Sequence, residues 1–134
     1  MKKYIITFSI LLYAIVVPIL EINETHVFNR DWTPHVRIHE VWQLITNSSI
    51  GVFSLWLVWF KNNTKTSAML SLFITGGFLL AYSLQNFYGG SMKYLDGSEK
   101  TFLGINVGLL GFGLAFILLL KVLLKNIIYK TKYQ

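Results

Sequence analysis

The chain has 134 residues, of which 54% are hydrophobic and only 13% charged. A soluble domain carries about a quarter charged residues, so a soluble fold is excluded, and with no cysteine so are disulfides, thiolate-held metals and thiol catalysis. The net charge of +6 sits at the ends of apolar runs, which fits anionic lipid headgroups rather than nucleic acid.

Lys2-Lys3 precede an apolar run from Tyr4 to Leu20. The run is long for a secretory leader and Pro18-Ile19-Leu20-Glu21 offers no small-x-small cleavage site, so it reads as a first transmembrane helix over about 4–24. Pro18 predicts a kink, with a freed carbonyl that another helix can satisfy. The polar segment 21–40 follows, holding all three histidines, both arginines and four of the six acids. Within it Thr33-Pro34 is a helix start, a capping hydroxyl before a proline at the first helical position. The second helix is expected over 34–60, long enough for its first two turns to stand in the headgroup layer. A short loop at 61–66 leads to a third span over 67–88, ending in Gln85, Asn86 and Tyr88, and a polar loop to a fourth over 102–124. The tail from Lys125 to Gln134 is basic and reads as a headgroup anchor. The chain is thus expected to be all-α, a single polytopic four-transmembrane-helix bundle.

Four spans put both termini on one side. That side carries Lys2, Lys3, Lys61, Lys65, Lys121, Lys125, Lys130 and Lys132 and no acid; the other carries four basic residues and all six acids. The bias predicts cytoplasmic termini, a bacterial inner membrane as the setting, and the polar segment on the non-cytoplasmic side. In the fourth span Gly104, Gly108, Gly111 and Ala115 recur at three- and four-residue steps. They form a small-residue face for packing within the bundle or, alternatively, for a homodimer.

His35, His39, Gln43 and Asn47 are each four apart, so they draw a polar stripe from the outer surface into the membrane, with Thr46 and Ser54 in the same sector. Arg37 points to the opposite side and Glu40 lies at the stripe's edge. Lipid cannot hydrogen-bond such a stripe, so it is expected to face the bundle interior. Polar groups then gather in the outer half and the inner half is nearly all apolar, which suggests a cavity opening outward. Three chemistries could use it. His35 and His39 could chelate a divalent metal as cofactor, with His26 and Glu24, Glu21 or Asp31 completing the shell. His35, His39 and Glu40 could do acid–base work on a hydrophobic substrate. His26, Asp31, Trp32, Arg37, Trp42, Gln43, Asn47, Gln85 and Asn86 could shape a pocket for an amphiphile. The plainer alternative is a charge-paired cap, in which Glu24, Arg30, Asp31, Arg37, Glu40 and the histidines fix the first loop on the bundle.

The residues His26, Phe28, Asn29, Trp32, Pro34, His35, Arg37 and His39 fit the pattern H-x-F-N-x-x-W-x-P-H-x-R-x-H. This resembles a signature of small four-helix membrane proteins that carries no activity with it. More remotely, four helices with acids and aromatics at one end are similar to the EXPERA group of sterol isomerases and to DoxX-type proteins. In those isomerases acidic and histidine side chains act on a lipid within the bundle, a likeness that implies such a role for Glu40, His35 and His39.

The expected function is therefore a membrane protein that binds or acts on a lipid-like small molecule. The alternatives are an accessory or assembly protein whose polar loop docks a partner, and a small four-helix transporter, for which a buried Glu21 would be the ionisable group. Nucleotide hydrolysis is excluded, because no glycine-rich loop carries the Lys-Ser/Thr of a phosphate cradle.

Overall fold

Four helices account for most of the computed structural model, which describes residues 1–94 and 96–132, with side chains through Lys125. They are α1 (Lys2–Glu21), α2 (Pro34–Trp59), α3 (Thr64–Tyr88) and α4 (Val107–Lys132). All four are long and apolar enough to cross a membrane. Their outward surfaces are the inverse of a soluble domain's, with side chains such as Ile19, Phe73, Leu80 and Phe87 exposed. The expected anchor in the basic tail lies beyond the described side chains, apart from Lys125 itself.

Helix starts follow local chemistry. The Thr33 hydroxyl accepts from the Val36 N–H and Pro34 takes the first helical position, as the sequence predicts. Asn63 caps α3 through the Thr66 N–H, and α3 ends on Gly89 in the left-handed region. The fourth helix departs from expectation. Thr101–Phe102 and Ile105–Asn106 form a small antiparallel hairpin, and the chain turns at Leu103 and Gly104, both with positive φ. Asn106, almost fully buried, accepts from the Leu109 N–H and donates to Glu99, so α4 begins at Val107 rather than 102. Gly104 is therefore a turn residue and leaves the small-residue face. A side chain at Gly108 would press on Asn106 and Phe78, whereas one at Gly111 would meet open space.

Helix α1 packs on α2, α3 and α4, and α3 packs on α2 and α4. Residues Leu12–Val16 of α1 are π-helical, a widened turn just before Pro18. Pro18 has no N–H for the carbonyl four residues back, that of Ala14. The Ser48 hydroxyl of α2 donates to this carbonyl at 3.0 Å, which is the satisfaction from another helix that the proline predicts. Ser48→Ala is expected to lower stability by about 1 kcal/mol, measured as a fall in melting temperature in detergent.

The apolar core gathers Ile6, Ile10, Tyr13 and Ala14 of α1 with Val58, Ala68, Leu119 and Val122. It lies toward the lysine-bearing end, where Lys3 bonds Asn62 and Trp59 bonds Thr7. This half is not wholly apolar, as the sequence suggested. Ser9, Ser54, Ser67, Ser71 and Thr75 are buried in it. Ser67 donates to the Ser54 carbonyl across α2 and α3, Tyr13 pairs with Ser71 across α1 and α3, and Thr75 donates to the Ser71 carbonyl. Small hydroxyl residues let the backbones approach, and all but the Ser54 hydroxyl find a hydrogen-bond partner there.

Candidate functional site

The inward face of α2 is Glu40, Leu44, Asn47, Gly51, Ser54 and Val58, in alternating steps of four and three, each buried or half-buried. Gly51 sets it. An added Cβ there would stand 2.4 Å from the Ala14 Cβ, so α2 can turn only this side to α1. The polar stripe is thereby rotated off the interface. His35, His39, Gln43 and Thr46 are exposed, Trp42 is 64% exposed, and only Asn47 and Ser54 of the stripe turn inward. The expectation that the stripe faces the interior is overturned. Polar groups at headgroup level are hydrated where they stand, so burial there is decided by the small residues.

Glu40, at the stripe's edge, and Arg37, on the opposite side, are both half-buried at this end. Glu40 joins a cluster that crosses elements. The carboxylate of Glu21, the last residue of α1, lies 2.8 Å from His26 Nε2. Glu40 is within electrostatic reach of both Glu21 and His26, and Lys100 of the outer loop acts on Glu21 and His26. Two aromatic rings stand edge-on to the imidazole, Trp32 at 5.7 Å and Tyr94 at 6.2 Å between centroids. The Lys100 ammonium sits 5.6 Å from the Tyr94 ring centroid.

The loop that presents His26 is braced from inside. Asn29 is 5% exposed. Its amide donates to the Thr25 carbonyl at 3.0 Å and its oxygen accepts from the Asp31 N–H at 2.9 Å. Asn23 accepts from both the N–H and the hydroxyl of Thr25. The Thr25 hydroxyl also lies 2.8 Å from His26 Nδ1.

These contacts hold a definite proton inventory. Burial pushes His26 below its ordinary 6.5; the Glu40 carboxylate opposes this and the Lys100 ammonium adds to it. At neutral pH the imidazole is therefore uncharged, with Nε2–H donating to Glu21. Thr25 has one hydroxyl proton for two acceptors, Asn23 Oδ1 and His26 Nδ1. A proton arriving at Nδ1 resolves the conflict, because Nδ1–H then donates to Thr25 and Thr25 to Asn23. The site can take up and return a proton without moving a heavy atom.

Because the folded pKa of His26 is lowered, the unfolded chain takes up the proton first as pH falls. The contribution of His26 to stability is thus constant above the ordinary value of about 6.5 and declines below it until the folded pKa is passed. The difference between thermal melts of the parent and of His26→Gln, followed from pH 8 to pH 4.5, is expected to show this decline.

The three histidines do not converge. His26 is committed to Glu21 and Thr25, while His35 and His39 face each other, Nε2 to Nε2, at 3.1 Å. Among the described residues no group of three or more His, Asp or Glu side chains could hold a metal ion, so the His26–His35–His39 site is not formed. The charge-paired cap is not formed either. Among the described residues the one contact of this kind is Glu21–His26, an ion pair only once the imidazole is protonated, and Glu24, Arg30, Asp31 and Arg37 enter none.

A hollow of about 120 Å³ does open at this end, but between α3 and the outer loop, lined by Phe78, Ala81, Tyr82, Gln85, Tyr88, Ser91 and Met92. Of the expected pocket residues only Gln85 lines it. Asn86 is exposed, and Trp32, Trp42 and Asn47 lie elsewhere. The sequence reading set Glu21 beside His26 only as one of three acids that could complete a metal shell, and it missed Tyr94 and Lys100, since nothing in the local pattern tied the outer loop to His26.

The arrangement defines a four-helix chain with a carboxylate–imidazole cluster at the end opposite most of its lysines. No protein-family model matches it, and neither the curated proteins nor the solved structures gave a match.

Proposed function

We propose that this is an integral membrane protein whose Glu21–His26–Glu40 cluster binds or acts on the polar head of a lipid-like small molecule at the outer leaflet. The observation that carries the reading is the His26 environment: a carboxylate in contact, a second in reach, and two aromatic rings at its edges. Two carboxylates against one lysine, with aromatic faces nearby, favour a head bearing an amine or a hydroxyl. The outer loop serves the head through Tyr94 and, three residues earlier, lines the apolar hollow through Ser91 and Met92, which suits a tail. His26 is the proton carrier and Glu21 its orienting partner. His35 and His39 are not assigned to this chemistry. The excess of lysines at the opposite end supports cytoplasmic termini and an outward-facing cluster.

Native mass spectrometry of the detergent-purified chain tests the reading. A retained amphiphile is expected, lost in Glu21→Gln and Glu40→Gln and kept in the double variant His35→Ala/His39→Ala. An amphiphile indifferent to Glu21, His26 and Glu40, or none at all, would reject it.

A further inference from the structure

We infer that His35 and His39 form a second site, a two-imidazole chelate for a divalent first-row transition ion such as Cu²⁺ or Zn²⁺, open to the outside. It is separate from the His26 cluster and stands whether or not that cluster binds a lipid. The two rings are one turn apart on α2, roughly perpendicular, with Nε2 atoms 3.1 Å from each other. Imidazole nitrogens bind zinc at about 2.0–2.1 Å, so two on one ion lie about 2.8–3.0 Å apart at a right angle and about 3.3–3.4 Å apart at the tetrahedral angle. The observed separation falls between these limits, and an ion can enter with sub-ångström adjustment.

The backbone beneath the pair is held in place. Thr33 caps the helix two residues before His35, and Pro34 fixes its first turn. Both histidines are exposed, so an ion reaches them from solvent. As a metal-free pair they must share one proton between the two Nε2 atoms, one donating and one accepting. Metal binding asks only that this proton move to Nδ1 of its own ring, leaving both Nε2 lone pairs for the ion with no net loss of a proton. With only two protein ligands, the remaining positions are open to water or to a small external donor, the pattern of an exchangeable rather than a structural site. Imidazole donors on an exposed helix suit copper, nickel and zinc over magnesium or calcium. The Trp42 ring lies 5.8 Å from His39 between centroids, close enough to report a paramagnetic ion.

The test titrates the full chain in detergent at pH 7.5 with Cu²⁺. The expected result is one ion per chain, an electron paramagnetic resonance spectrum with hyperfine coupling to two imidazole nitrogens, and quenching of tryptophan emission that shrinks in Trp42→Phe. His35→Gln and His39→Gln should each weaken binding by more than about tenfold, while His26→Gln leaves it unchanged. Both positions are surface residues, so melting temperatures of the variants should match the parent. Undiminished binding in the double variant His35→Gln/His39→Gln, absence of nitrogen coupling, or loss of binding in His26→Gln would each overturn the assignment.

Discussion

Gly51→Leu is expected to prevent the bundle from assembling, and Gly51→Ala to weaken it by about 1–3 kcal/mol, the range for overpacking a tight core. The Cβ of an alanine at 51 would lie 2.4 Å from that of Ala14 and 3.3 Å from an Ile10 methyl. The first cannot swing aside, since it is a Cβ fixed by its backbone. The helices must part, and the place where they part is the π-helical turn of α1 beside the Ser48–Ala14 bond. A second change isolates the cause. Moving the methyl rather than adding one, in Gly51→Ala/Ala14→Gly, should recover most of the loss, giving a coupling on the order of 1–2 kcal/mol. Additive losses would show that the crossing is not the reason. Gly77→Ala is the control: its Cβ would meet nothing within 4 Å, so it should be neutral or gain from better helix propensity. Denaturation in mixed detergent, followed by circular dichroism, measures all four.

That crossing also explains which parts of the fold were legible in the sequence. Apolar runs bounded by lysines announce four spans, because length and hydropathy are local properties. The same holds for the Thr33-Pro34 start and for the carbonyl freed by Pro18. Rotation of a helix about its axis is not local. The polar stripe on α2 suggested one inward face, while Gly51, buried against Ala14, enforced another. Polarity is a reliable guide to the interior only at depths without water, and His35, His39, Gln43 and Thr46 are all exposed. The start of α4 was misplaced for a related reason. Phe102, Leu103 and Ile105 are as apolar as the helix that follows, and only Gly104 with the capping Asn106 marks the turn.

The candidate site was legible in part of its membership but not in its geometry. Segment 21–40 does supply Glu21, His26, Trp32 and Glu40, and the likeness to the H-x-F-N-x-x-W-x-P-H-x-R-x-H pattern picks out Asn29. What periodicity cannot give is which histidine meets which carboxylate, because His26 sits in an irregular loop where no repeat of 3.6 or 2 applies. Tyr94 and Lys100 reach it from a loop some seventy residues away along the chain, a distance that only folding closes.

Asn29 is where the loop is most exposed to a single change. Asn29→Ala is expected to release segment 22–33 from its docked form and, with it, His26 from Glu21. The substitution removes a donor from the Thr25 carbonyl and an acceptor from the Asp31 N–H. Both bonds are part-buried, so their loss should fall in the lower part of the roughly 1–3 kcal/mol that a fully buried unpaired group costs, and about 1–2 kcal/mol is a factor of about 5–30 in a local equilibrium. Amide hydrogen exchange across 22–33 should therefore accelerate by about that factor, while α3 exchanges as before. Asn29→Asp separates the two bonds. Its carboxylate still accepts from the Asp31 N–H but cannot donate to Thr25, so the acceleration should be intermediate. The decisive readout is the imidazole itself. Once the loop is undocked, His26 is hydrated and its titration, followed by nuclear magnetic resonance of its ring protons, should rise toward the ordinary value of about 6.5. If His26 titrates unchanged in Asn29→Ala, the loop is held by something other than this asparagine, and the cluster does not depend on it.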